Sequence, residues 1–203
     1  MKLPTAGRPY RKGKRAESEL QTRDRIIEAT VGLHESVGPA HTTVQAIADK
    51  AGVQRATVYK HFPDTEALFQ ACTAHYYARH PMPDPGTWVA IKPLEKGLRV
   101  ALADLYAWFE ETERMTLTGI RDLDVVPSAA RDAFLGYFEH VRKALMAGRP
   151  ERGRVRARVS AAIGHAISFS TWHSLVREQG LGRDESVALM AALIDSARSL
   201  SYP

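Results

Sequence analysis

Residues Thr43 to Phe69, TVQAIADKAGVQRATVYKHFPDTEALF, decide the fold. Val44, Ile47, Ala48 and Ala51 fall on one face of a helix at spacings of three and four. Thr43 precedes them as an N-cap, its hydroxyl placed to accept from an amide the helix cannot pair. Gly52 supplies the backbone freedom for a sharp reversal, and Val53 tucks an apolar side chain under the turn. A second helix, about Gln54 to Phe62, buries Val58 and Phe62 and leaves Arg55, Ala56, Thr57, Tyr59, Lys60 and His61 toward or beside solvent. Two short helices around a glycine turn, followed by a third from Asp64, make the layout of a DNA-reading helix-turn-helix.

In that motif the second helix enters the major groove, its N-terminal residues nearest the base edges. Gln54, Arg55 and Thr57 are therefore the candidate base readers. Arg pairs bidentately with guanine, Gln with adenine, and the Thr methyl packs on thymine. Tyr59, Lys60 and His61 lie farther along, where phosphate contacts fix register without reading sequence.

The order of residues is more specific than their spacing. Ile47, Ala48, Ala51, Gly52, Val53, Thr57, Tyr59, His61 and Phe62, with Glu66, Leu68 and Phe69 after them, resemble the TetR family of bacterial transcriptional repressors. The preceding segment, with Ile26, Ile27, Leu33 and Val37 facing a core and Gly38 as terminator, fits the same pattern. The resemblance runs from about Gln21 to Phe69 and implies that Thr43, Gln54, Arg55, Ala56, Thr57, Tyr59, Lys60 and His61 lie at the DNA interface. Three positions depart from the pattern. Ala46 stands where an acidic residue often completes a capping box with Thr43, Gln54 replaces a small capping Ser, and Thr65 replaces a Lys that commonly meets phosphate.

The chain has 203 residues, 44% of them apolar, enough for a sizeable core. No apolar run approaches the ~20 residues that cross a bilayer, and no apolar segment follows the basic N-terminus as a secretory signal would require. A cytoplasmic location is expected. Formal net charge is +5, but Lys2, Arg8, Arg11, Lys12, Lys14 and Arg15 all precede the first acid, Glu17. The basicity is thus local, and reads as a solvated arm able to follow a DNA backbone or enter a minor groove. A lone Cys72 forms no internal disulfide and is expected in the core. No GxSxG, HExxH, P-loop or dinucleotide glycine pattern is present; His34-Glu35 lacks the second His. Neither catalysis, nor a cofactor, nor a metal is expected.

The fold class expected is all-α, in four stretches. Residues 1–17 are a disordered basic arm; 18–69 the DNA-binding domain, opened by a Ser18/Gln21 capping box; 70–80 a connecting helix; 81–203 a helical ligand-binding and dimerisation domain. Pro81, Pro83, Pro85 and Gly86 mark the hinge. Beyond it, Leu94, Leu98, Leu102, Leu105 and Phe109 stripe a buried helix, and Arg114 to Val126 suggests a short separate helix. Phe134, Tyr137, Phe138, Val141 and Leu145 stripe another, closed by Gly148 and Pro150 before a basic loop, Arg149 to Arg158. A helix over about Val159 to Leu175 and one bearing Val187, Met190, Leu193, Ile194 and Ala197 complete the chain.

The resemblance implies a body that dimerises and holds a small-molecule effector. Wall material is present in Tyr106, Phe109, Phe134, Tyr137, Phe138, Phe169 and Trp172, with His165 and His173 as polar anchors. Because the last two helices are apolar over a wide arc, Val159, Ile163, Ala166, Ile167, Ser170, Met190, Leu193, Ile194 and Ala197 are the expected cover for a second subunit. The function expected is a homodimeric repressor on a palindromic double-stranded operator, released by a small molecule. The alternative is a nucleoid-associated or protein-partner-regulated DNA-binding factor without an inducer.

Overall fold

A computed structural model describes residues 8–200, with the backbone alone at 8–12 and 15. All regular structure among them is helical. In chain order the α-helices are α1 Arg8–Ser36, α2 Val44–Ala51, α3 Arg55–His61, α4 Thr65–Arg79, α5 Pro85–Val89, α6 Leu94–Arg121, α7 Ser128–Met146, α8 Gly153–Ala166, α9 Phe169–His173 and α10 Arg183–Ser199. No helix among the described residues is long and apolar enough to cross a membrane.

The chain divides into two compact units. The first runs up to Arg79 and adds Leu117–Pro127. Its core is Ile26 and Ile27 of α1, Ile47, Ala48 and Ala51 of α2, Val58 of α3, Phe62, and Leu68, Cys72 and Tyr76 of α4, all buried. α1 packs against both α2 and α4, and α2 against α3. The second unit is His80–Thr116 with the chain from Ser128 on. There Leu98, Leu102, Leu105 and Phe109 bury the stripe of α6, and α8 is enclosed by α7, α9 and α10.

Several sequence expectations change. Residues 1–7 of the basic arm lie outside the described residues, but α1 already begins at Arg8, so the rest of the expected disordered arm is helical. Ser18 consequently caps nothing; its carbonyl accepts the Thr22 hydroxyl at 2.8 Å inside the helix. Lys, Arg, Ala and Glu are all strong helix formers, and they favour extension of an existing helix over a new start. The helix expected from Asp64 toward His80 is α4, Thr65–Arg79, and the Asp64 side chain accepts the Ala67 amide at 2.7 Å at its start.

The segment 114–126 likewise holds no separate helix. α6 continues to Arg121, and a 3-10 turn follows at Leu123–Val125. The end of α6 has its own partners in the first unit. Thr118 donates to the His34 carbonyl at 2.8 Å, Arg121 to the Val37 carbonyl at 2.7 Å, and Asp122 accepts the Ala40 amide at 3.0 Å. Arg121 also bonds Asp122, and together with the Ala40 N–H it holds that carboxyl down at about 2. This is why a stretch of mixed polarity remains helical: its polar side chains face backbone groups that lack helical partners.

The helix expected over Val159–Leu175 is broken. α8 ends at Ala166, Ser168 caps α9 by accepting the Thr171 amide at 3.2 Å, and a π-helical turn follows at Ser174–Glu178. Ser competes for backbone partners and so favours a cap over a helix interior. At the start of the same region, α8 begins at Gly153, so Arg154, Arg156 and Arg158 stand on a helix rather than in a loop.

Candidate nucleic-acid interface

The turn before α3 is set by hydrogen bonds that only a left-handed residue permits. Gly52 has φ 66° and ψ 40°. Its amide donates to Asp49 at 3.2 Å while the Val53 amide reaches back to the Ala48 carbonyl at 2.9 Å. That pair closes α2 as a Schellman motif. At the other end of α2, Thr43 Oγ1 accepts the Ala46 amide at 3.1 Å.

α3 sits on Val58, 1% exposed, and on Phe62 just after it, 3% exposed. With those two positions anchored, helical geometry turns the remaining side chains outward. Thr43, Gln54, Arg55, Ala56, Tyr59 and Lys60 are exposed, and Thr57 and His61 are half-buried. Gln54 is extended and makes no side-chain cap, which leaves its amide group available. The structure therefore brings seven of the expected contact residues together on α3 and its N-cap, with Thr43 at the start of α2.

Two contacts organise the exposed face. Arg55 donates to the Tyr59 hydroxyl at 3.2 Å, its guanidinium carbon 5.6 Å from the ring centre. Lys60 donates to Glu19 of α1 at 3.1 Å. Arg23, also from α1, lies 4.9 Å over the Phe62 ring. Glu19 and Arg23 escape sequence reading because they are about forty residues from α3; only the α1 packing brings them near.

Beneath this face, His34 is buried against Cys72, Nδ1 to Sγ 3.6 Å, and its ring lies 5.2 Å from Phe69. Burial lowers the His34 imidazole to about 4 and pushes the Cys72 thiol up to about 12. Both groups are neutral at physiological pH, as a dry core requires.

In the second unit, eight of the nine expected effector-contact residues join in one ring cluster. Phe109 is its hub, 6.0 Å from Phe138, 5.4 Å from Phe169, 5.8 Å from Trp172 and 6.4 Å from Tyr106. Phe134 and Tyr137 each lie 5.1 Å from Phe138, and His173 lies 5.7 Å from Phe169. The ninth, His165, is exposed and turned to the Thr171 hydroxyl instead, because the break after Ala166 takes it away from the cluster. Tyr106 bonds the Ala166 carbonyl at 2.9 Å and Tyr137 the Pro83 carbonyl at 2.8 Å. Trp172 is fully buried, yet its indole N–H has no hydrogen-bond partner among the described residues. Arg177, stacked 5.1 Å over Trp172 and paired with Glu113 at 2.7 Å, belongs to the same assembly and was not legible as such.

Placement of the expected subunit-contact residues needs correction. Val159, Ile163, Ala166, Ile167, Met190, Ile194 and Ala197 are buried within the chain itself. Only Ser170 and Leu193 are exposed. The wide apolar arc of α8 is explained by its three helical neighbours in the same unit. The side of α10 left open presents Ala188, Leu189, Ala192 and Leu193, with Leu189 39% and Leu193 52% exposed. Ala161 is exposed on neighbouring α8.

Comparison with known proteins agrees with the motif. Residues 26–72 match the family model for bacterial regulatory proteins of the tetR family. Over 84 residues, 37% of this chain, it is 38% identical to the HTH-type transcriptional regulator SrpR of Pseudomonas putida. Over 86 residues, 38% of this chain, it is 36% identical to the uncharacterized HTH-type transcriptional regulator TtgW of Pseudomonas putida. The aligned segments span 38% and 63% of those relatives' lengths. Among solved structures, NalD of Pseudomonas aeruginosa, the secondary repressor of the MexAB-OprM multidrug efflux pump, superposes with a TM-score of 0.59 at 18% identity. That likeness covers 89% of this chain and 97% of NalD, and shows a shared fold.

Proposed function

We propose that this chain, whose residues 26–72 match the family model for bacterial regulatory proteins of the tetR family, is a transcriptional repressor that binds a palindromic operator as a homodimer and is released by a small molecule. The observation that carries the DNA reading is the seating of α3. Val58 and Phe62 fix it, while Gln54, Arg55, Tyr59 and Lys60 stay exposed. Gln54, Arg55 and Thr57 read base edges; Tyr59, Lys60 and His61 hold phosphates; Thr43 and Ala56 complete the contact.

Two copies of such a helix suit successive major-groove faces about 34–36 Å apart. The open side of α10, with Leu189 and Leu193 between small alanines, supplies an apolar surface for that pairing. The repressor sign is taken by analogy with NalD, a repressor of similar fold.

Small-molecule control rests on the cluster around Phe109. The ring cluster, with a Trp172 indole N–H that has no hydrogen-bond partner among the described residues, suits an apolar ring-bearing effector with one hydrogen-bond acceptor. Such a molecule releases DNA only by binding the non-binding state more tightly.

Selection of bound duplexes from random DNA, followed by a screen for compounds that dissociate them, tests the whole reading. A palindromic consensus bound by two chains and released by an aromatic compound supports it. Recovery of no sequence preference and no release would overturn it.

A further inference from the structure

We propose that the cleft between α7 and α8 is a second small-molecule site, for a ligand carrying a phosphate monoester. The cleft is open to solvent on its outer side, has a volume of about 400 Å³ and is lined by Arg142, Lys143 and Met146 of α7 and by Arg156, Ala157 and Ser160 of α8. It shares no residue with the ring cluster around Phe109. Its volume falls in the range of ligand pockets, about 300–1,000 Å³, at the small-metabolite end.

The lining is unusual in charge. Every ionisable side chain in it is a cation, and no carboxylate lines the cleft. Glu139, an acid beside it, is already committed. It accepts both Nε and Nη2 of Arg142 at 2.7 to 3.0 Å and lies 3.6 Å from Lys143. One carboxylate against three cations leaves a positive surplus, and Arg152 and Arg154 flank the same helix start.

The same contacts orient the donors. Glu139 grips one edge of the Arg142 guanidinium, so its remaining Nη1 is directed across the cleft, where it meets the Ser160 hydroxyl. A fork held in this way loses little side-chain freedom when it meets an oxyanion. Arg156 is only weakly satisfied. Its only contacts among the described residues are to the Arg149 and Met146 carbonyls at 3.4 and 3.5 Å, at the long limit of hydrogen bonding. Lys143 is largely exposed at the cleft's edge and adds a mobile point charge.

A phosphate monoester matches this set. It carries close to two negative charges at neutral pH and three strong acceptor oxygens, enough for Arg142 Nη1, Arg156 and Lys143 together. Met146 and Ala157 provide an apolar wall for the carbon part of the molecule. A long phosphodiester chain would fit less well, because it offers only one charge per phosphate.

The test is calorimetric titration of the full chain with glycerol 3-phosphate, inorganic phosphate and a short mixed-sequence DNA duplex, each at the same ionic strength set with potassium chloride. Saturable binding of glycerol 3-phosphate, weakened at least tenfold in Arg156→Gln and in Lys143→Gln, supports the proposal. Tighter binding of the ester than of inorganic phosphate identifies an organic ligand; equal binding identifies the free ion and overturns the ester assignment. Heat that does not saturate, or that is unchanged in both variants, overturns the site. Binding of the duplex alone that both variants abolish would make this a nucleic-acid surface and also overturn it. Both substitutions lie outside the candidate DNA interface. Unaltered melting in potassium chloride distinguishes a lost ligand contact from a lost fold.

Discussion

Lys60 of the candidate recognition helix donates to Glu19 of α1 at 3.1 Å, across forty-one positions of sequence. The pair is exposed on both sides, so its worth to folding is small, within about 1 kcal/mol. On the proposed reading its larger consequence is for phosphate binding, because Glu19 competes for the ammonium and would put a negative charge beside a bound duplex. Glu19→Gln is expected to tighten binding to all DNA sequences several-fold at low salt. Lys60→Ala is expected to weaken all sequences alike and to flatten the slope of log affinity against log salt by about one. Fluorescence anisotropy over a salt series with operator and scrambled duplexes measures both.

Arg55 should behave differently from Lys60. It stands in the first turn of α3 and is steadied by Tyr59. Arg55→Ala should cost about 1–3 kcal/mol on the preferred operator and much less on random duplex. Equal losses on both would remove Arg55 from the base readers.

Gly52 offers a test of the turn by itself. Apart from Gly52 itself and its chain neighbours, no atom lies within 4 Å of the position a Cβ would take there, so Gly52→Ala introduces no clash with the rest of the fold. Its φ of +66° still penalises any side chain. Destabilisation of about 1–2 kcal/mol in urea is expected from backbone strain alone.

His34 gives the first unit a pH dependence. Burial holds its folded pKa at about 4, below the unfolded value near 6.5. The unfolded chain therefore takes up the proton first. This contribution is complete above pH 6.5 and is lost as pH falls toward 4, by at most roughly 3 kcal/mol. Asp122, held at about 2 by Arg121 and the Ala40 amide, acts in a lower window, as pH falls from about 4 toward 2. Urea midpoints at pH 7, 6, 5 and 4.5 should fall steadily in the native chain and less steeply in His34→Gln.

Leu193 addresses self-association. It is half exposed on α10, so Leu193→Glu should leave the melting temperature of the chain nearly unchanged while shifting sedimentation from two chains to one. Loss of operator affinity should accompany the shift, since paired half-sites need paired heads.

The candidate DNA-binding unit was legible because its signals are local. Thr43, Gly52, Val53, Val58 and Phe62 lie within twenty residues, and periodicity with one positive-φ glycine suffices to order them. The all-α class and the stripe of α6 were legible for the same reason. Other features depend on distant partners. Whether Val159 or Leu193 faces outward is settled by which helices flank α8 and α10, and an apolar residue gives the same sequence signal in either place. The join of Thr118 and Asp122 to His34 and Ala40, the pairing of Glu19 with Lys60, and the cation-lined cleft of Arg142 and Arg156 arise between segments remote in the chain. Spacing along one helix cannot specify them, because long-range packing, not local propensity, determines which polar groups meet.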